Sequence, residues 1–473
     1  MTALSWMRLG VLFCSLTAIP AAASGRFDER IQEYSSRLTI PGLAYVVIKD
    51  GRTVASGSSG LDTHTPLRFA SVTKAFTAVL LMRAVESGKI SLDDSASKWL
   101  PDFAERPQIK VRHLAAHVSE GVPGTEFVYA TNRYARLGEI LAKVWGAPNY
   151  ETALRREVIE PAGLSWYDSP DLGAHAALVS TVEDVAKLVA ALQATQLISK
   201  KSFDTMATPF VSTTGRKLPV GVGFFSQQIG GERVVWSFGQ DDPDYSSALL
   251  LMVPKRKLAL VILANSDELS NPFRLLMGNI RTSPFATAFL DSYAPDLAAD
   301  IGQRDREITN MLTSVASDQL PEAIKGFTAL AARDAYVAPD DFALHFLAGM
   351  MASELPRAYC VKLDEAVVGA HPGNRWALLM SGGINTQLGR REVALSRYDA
   401  LLALPNQEPD GLWRLFRAWT YTGLAAAVKD RDPARALKYI EDGLSTGVTG
   451  GTRNDLLQMQ TSISSSHSTK EGD

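Results

Sequence analysis

Apolar residues dominate three parts of the chain, each with its own rhythm. Near the start, Gly42–Gly57 carries two strand-like runs on either side of Asp50-Gly51. That dipeptide supplies the positive φ angles of a two-residue turn, so the stretch reads as a β-hairpin. Ala75 to Ala84 is an almost unbroken apolar run, too long for a strand, and reads as a buried helix ending near Ser87. Further helices are predicted over Asp28–Leu38, Arg133–Val144 and Val182–Leu192. Strand patterns return at Arg233–Phe238, Ser247–Val253 and Leu258–Ala264, the last two flanking the basic turn Pro254-Lys255-Arg256-Lys257. Strands at both ends with helices between imply an α+β fold: an antiparallel sheet assembled from the two ends of one domain, flanked by helices and a helical subdomain. That domain covers residues 27–290.

Beyond Pro295 the strand signals stop, and residues 302–460 read as an all-α, repeat-like domain. Ala323-x-x-x-Phe327, Ala394-x-x-x-Tyr398 and Ala436-x-x-x-Ile440 recur loosely, and Ala358 falls between the first two without an aromatic partner. With Gly389 and Pro405 around the best unit, this is similar to degenerate tetratricopeptide repeats, in which small residues let paired helices approach closely. Residues 461–473, rich in Ser and Thr, read as a disordered tail.

At the other end, residues 1–23 have the order of a secretory signal peptide: Arg8, an apolar stretch from Leu9 to Ile19, then Ala21-Ala22-Ala23. Export to the periplasm or medium is the expectation, with no transmembrane segment left after cleavage. Of the 2 cysteines only Cys360 survives cleavage, so an intrachain disulfide is excluded. A net charge of −3 offers no footprint for nucleic acid.

Candidate chemistry begins at Ser71. Lys74 follows three residues later at the start of the apolar helix, so hydroxyl and amine share a face. A serine hydroxyl needs a base, and a lysine serves as one only if burial or neighbouring cations lower its pKa. Spacing alone is weak, since Ser95-Ala96-Ser97-Lys98 repeats it in what reads as a solvated stretch. Gly443-Leu444-Ser445-Thr446-Gly447 matches a nucleophile elbow, but a helix precedes it where a strand is required. His113 and His117 lie four apart without a zincin glutamate and are read as structural, so neither a metal nor a cofactor is assigned.

Several stretches in order, Ile40-Pro41-Gly42-Leu43-Ala44, Phe69-Ala70-Ser71-Val72-Thr73-Lys74, Val111-Arg112-His113-Leu114, Pro123-Gly124-Thr125-Glu126-Phe127-Val128-Tyr129 and Leu178-Val179-Ser180-Thr181, carry a family likeness. Over about residues 30 to 270 the chain resembles the serine β-lactamase and penicillin-binding-protein-like hydrolases, in the class C β-lactamase-related branch. The resemblance implies a β-lactamase/transpeptidase-like fold, Ser71 as acylated nucleophile, Lys74 as its proton partner and Tyr129 as the family's motif tyrosine. The Lys74 ammonium would ease ionisation of the Tyr129 phenol. It also implies an oxyanion hole from the backbone N–H groups of Ser71 and Gln240, with Thr131, Ser237 and Gly239 contacting substrate. Two departures stand out. Tyr129-Ala130-Thr131 replaces the family's Tyr-x-Asn, with Asn132 one place late. Ser237 stands where relatives carry Lys or His, which weakens binding of carboxylate-bearing substrates unless Arg216 or Lys217 supplies the charge.

The implied activity is acyl-enzyme hydrolysis of a small ester, amide or peptide. Two alternatives stand beside it. One is a catalytically impaired module that binds ligand while the helical region recruits a protein partner, with the first domain folding independently of residues after about 300. The other is an acyltransferase.

Overall fold

Two residues turn the chain at the first hairpin: Asp50 has φ +50° and Gly51 φ +74°, the mirror-image turn that suits twisted strands. The computed structural model describes residues 21–165, 173–241, 246–270, 273, 275–315, 321, 325–326, 329, 357–407 and 410–468. Within these, the strands are β1 (Leu43–Lys49), β2 (Arg52–Ser59), β3 (Leu67–Arg68), β4 (Val179–Ser180), β5 (Phe225–Ile229), β6 (Glu232–Asp241), β7 (Ser246–Val253) and β8 (Leu258–Ala264). Six of them form one sheet in the order β2-β1-β8-β7-β6-β5, antiparallel throughout. β1 pairs directly with β8, Leu43 opposite Ala264, so the two ends of the domain do meet in one sheet. β3 and β4 make a separate two-residue ladder beside the nucleophile turn.

The unbroken apolar strands at the centre follow from cover on both faces. Along β7 and β8, Leu250, Met252, Val261 and Leu263 pack with Phe76, Val79 and Leu80 of the Thr73–Glu86 helix. Their alternates Leu249, Leu251, Leu260 and Ile262 pack with Phe27, Ile31 and Tyr34 of the first helix and with Phe285 and Phe289. Alternation at period two divides one sequence between two cores.

The second core runs on into the helical region. Ile308, Leu312, Leu363, Ile384 and Leu388 belong to the same apolar cluster as Trp236 and Phe289. The expected boundary near residues 290–302 is therefore a boundary of element type, while the buried apolar surface continues across it. Farther along, helices Arg375–Gln387 and Arg391–Ala403 pair, as do Asp410–Val428 and Pro433–Ser445. Tyr398 lies in a cradle of two glycines: a Cβ on Gly382 or on Gly423 would fall 2.3 Å from its ring. Ala394, Ala436 and Ile440 are buried, whereas Ala323 and Phe327, and the side chain of Ala358, lie outside what the structure describes.

For residues 461–468 the expected tail is a correction, while residues 469–473 lie outside the described residues. Helix Gly451–Ser468 runs through the segment expected to be disordered after residue 460, and Ile463 is buried. Thr461, Ser462, Ser464 and Ser465 are exposed, while Leu456 and Ile463 supply the apolar stripe that composition hides. Gly443–Gly447 lies at the end of helix Pro433–Ser445, as expected of a chance motif.

Candidate active site

The nucleophile turn is strained and strapped. Ala70 holds φ +44°, a left-handed conformation that costs an L-residue about 1–2 kcal/mol. Thr73 ties it down: its Oγ1 donates to the Ala70 carbonyl at 2.6 Å and accepts from the Leu178 N–H at 2.9 Å. Ser71 follows in a single turn of tight helix, Ala70–Val72, leading into Thr73–Glu86. Behind it, β6 passes so closely that a Cβ on Gly239 would lie 2.1 Å from the Phe69 carbonyl oxygen. Only glycine fits there.

Lys74 Nζ lies 2.7 Å from Ser71 Oγ and 3.0 Å from the His175 carbonyl. It sits over the Tyr129 ring, 4.9 Å from the centroid, and Tyr129 hydrogen-bonds Ser71. Burial pushes the Lys74 amine down to about 7 and pushes the Tyr129 phenol up. Both shifts have the same cause, removal of water from the charged form. Burial thus works against the expected easing of Tyr129 ionisation by Lys74, since it favours the neutral phenol and the neutral amine alike.

Serine, lysine and tyrosine line one cavity with His117, Val220, Gly223, Phe225, Ser237 and Phe238. It measures about 10 Å³, room for roughly one water. Among the described residues no carboxylate lines it, and much of its wall is aromatic: Phe225 lies 5.7 Å from Phe238 and 6.4 Å from Tyr129 between ring centres.

The other anticipated residues are placed as follows. Ser237 lines the cavity and is 4% exposed. Gly239 and Gln240 lie on β6 where it crosses the nucleophile turn, past Trp236, the last β6 residue paired with β5. Thr131, like Asn132, is exposed at the start of helix Thr131–Trp145 and lies outside the cavity wall. Arg216 pairs with buried Glu126, and Lys217 is exposed, so neither brings its charge to the cavity. Arg68, near the turn, pairs with Asp241 at 2.6 Å. The second Ser-x-x-Lys is structural: Ser95 caps a short helix and Lys98 pairs with Asp94.

Two histidines matter more than sequence alone indicates. His117 stacks on Tyr129 at 4.5 Å and accepts the Ala130 N–H on Nδ1 at 3.1 Å. Burial, then the charge of Lys74, pulls its pKa far down, so it is a neutral platform under the tyrosine. His175 offers its carbonyl to Lys74, and burial lowers its imidazole to about 4. A sequence signal existed for a further missed residue: Gly221-x-Gly223 marks close backbone approach, and a Cβ on Gly223 would fall 2.2 Å from Ala78 Cβ.

Known proteins resemble this chain in fold and sequence. The octameric penicillin-binding protein homologue from Pyrococcus abyssi superposes with a TM-score of 0.50 at 21% identity, covering 60% of this chain and 80% of that one. The putative penicillin-binding protein PbpX of Bacillus subtilis is 24% identical across 42% of this chain and 65% of its own length. Esterase EstB of Burkholderia gladioli is 27% identical across 21% of this chain and 29% of its own. The chain thus spans less than two thirds of either curated relative. Residues 27–277, more than half of the chain, match the Beta-lactamase family. With its antiparallel sheet and a serine–lysine pair at the head of the central helix, this chain belongs to that family.

Proposed function

We propose that the protein is an exported serine hydrolase that acylates Ser71 with the acyl group of a small, uncharged ester or amide and passes that group to water. One observation carries the reading: Lys74 Nζ sits 2.7 Å from Ser71 Oγ in a cavity that no carboxylate of the described residues lines. With its pKa near 7, Lys74 is largely neutral at mildly alkaline pH and accepts the serine proton as Oγ attacks the carbonyl carbon. The backbone N–H groups of Ser71 and Gln240 receive the developing oxyanion. Collapse expels the alcohol or amine, which takes its proton from the lysine ammonium through the protonated Tyr129 phenol. A water then attacks the acyl carbon, Lys74 takes its proton, and Ser71 leaves with a proton returned.

The preference for uncharged substrates rests on the surroundings. Ser237 supplies no cation, and Arg68 and Arg216 are committed to Asp241 and Glu126. Family membership supports hydrolase chemistry, and the aromatic wall suits an apolar acyl group. Residues 1–23 are assigned as the export signal and lie almost wholly outside the described residues; no described helix is long and apolar enough to cross a membrane. The paired C-terminal helices are assigned as a tetratricopeptide-like array able to take a protein partner.

The second reading, a binding module, draws on the cavity of only about 10 Å³. A fluorophosphonate probe separates the two. Labelling of wild type with none of Ser71→Ala supports the hydrolase, and equal labelling of both refutes it. The carboxylate-bearing nitrocefin should turn over slowly, and rapid turnover would overturn the argument from Ser237.

A further inference from the structure

Tyr129 rides on a loop that the helical region grips. Its neighbour Val128 packs against the apolar cluster that holds Leu415, Leu424 and Ile440 of the C-terminal helices. At Gly121 a Cβ would meet the Gly411 carbonyl at 3.0 Å, and at Gly411 one would meet Val122 Cβ at 2.8 Å. Loop and helix therefore touch backbone to backbone, glycine against glycine. The residue before Gly121 is Glu120, 2% exposed. Its Oε1 accepts from Arg133 Nε at 2.9 Å and from the Gly451 N–H, at the start of the last helix, at 3.4 Å. Gly450, with φ +72°, leaves the space: a Cβ there would fall 1.9 Å from Oε2 and 2.0 Å from Oε1.

This contact joins three things. A buried carboxylate needs its partners, since leaving it unpaired is strongly unfavourable. The N-terminus of the 18-residue helix Gly451–Ser468 favours negative charge. Arg133 opens the helix that follows Tyr129, and the next residue, Tyr134, donates to the Lys74 carbonyl at 3.1 Å and stacks on His117 at 5.2 Å. The tie thus runs from the last helix, through Glu120 and Arg133, to the groups that seat Tyr129 and Lys74. The loop is anchored at its inner end by Val128 N–H on the His117 carbonyl, 2.8 Å, and Ala130 N–H on His117 Nδ1.

We propose that Glu120 is a positioning residue through which the C-terminal helical region completes the active site, clamping the Ser119–Ala130 loop so that Tyr129 meets Ser71. Its effect on rate rests on the hydrolase reading above, while the clamp itself is measurable without any reaction. Release of the clamp frees the aromatic wall around the small cavity, and anything that binds the last helices would act on catalysis through this contact.

The test uses the full chain with Glu120→Gln, Glu120→Asp and, from the opposite side of the contact, Gly450→Ala. Hydrogen exchange should accelerate at least tenfold in segment 118–132 for Glu120→Gln and Gly450→Ala, with the Thr73–Glu86 helix unchanged. On p-nitrophenyl acetate both should lose tenfold or more in kcat with KM within twofold, and the double variant should lose no more than the worse single one. Glu120→Asp should recover part of the rate. Unchanged exchange in segment 118–132 would overturn the clamp. Faster exchange with unchanged kcat in an active wild type would overturn its role in catalysis. An inactive wild type with the exchange effect intact would count against the hydrolase reading alone.

Discussion

At the scale of single residues, Lys74 decides the chemistry. Its amine is buried, its hydrogen bonds go to Ser71 and a backbone carbonyl, and among the described residues no carboxylate lines the cavity to hold it charged. Its pKa falls to about 7. Below that pH the ammonium dominates and cannot take the serine proton; above it the neutral amine can. Acylation rates should therefore rise with pH through about 7 and then level off until other groups titrate. A limb that falls across this range would assign the base elsewhere. Lys74→Met should lower acylation by roughly 10²–10⁴-fold, the usual worth of a positioned base. The Ser71–Lys74 pair was legible from its spacing at the head of a helix, and Tyr129 only through the family resemblance. His117 and His175 were not, because one acts through ring stacking and the other through its backbone carbonyl, and neither leaves a pattern in sequence.

Among the elements, β6 and the nucleophile turn depend on each other. Gly239 lets the strand lie against Phe69 and Ala70, and Ser270 Oγ fixes its carbonyl at 2.9 Å. Gly239→Ala places a Cβ 2.1 Å from a backbone oxygen, so strand or turn must shift. The expected result is a loss of tenfold or more in acylation rate, with a stability loss of about 1–3 kcal/mol, typical of overpacking, read by denaturant titration. Normal acylation would show that the two elements are not mutually constrained. The hairpin and β6 to β8 were readable from Asp50-Gly51 and from unbroken apolar runs. β5 was not, because Phe225-Ser226-Gln227-Gln228-Ile229 mixes polar residues into a strand at the edge of the sheet. The continuation of the last helix past residue 460 was hidden by its Ser and Thr content, its apolar contacts being few and widely spaced.

For the whole molecule, the helical region shares both a core and an active-site loop with the family domain. Removing residues after about 300 strips Ile308, Leu312, Leu363, Ile384 and Leu388 from the cluster around Trp236 and Phe289. Each such side chain contributes about 1.5–3 kcal/mol when buried. Truncation should therefore lower the melting temperature of the remaining domain sharply, contrary to the expectation of independent folding drawn from the sequence. Differential scanning calorimetry of the two proteins reads this directly, and equal melting temperatures would show the shared core to be energetically idle. A local change probes the shared core without deletion: Leu363→Ala, in the cluster that also holds Trp236 and Phe289, should cost about 2–5 kcal/mol.

The claim beneath all of this is that one hydroxyl becomes covalently acylated. Intact mass spectrometry after a rapid quench of p-nitrophenyl acetate at pH 8 should find one acetyl group per chain, mapped to the peptide containing Ser71 and missing from Ser71→Ala. No adduct on Ser71 under conditions where the wild type turns the ester over, or the same adduct in Ser71→Ala, would contradict it.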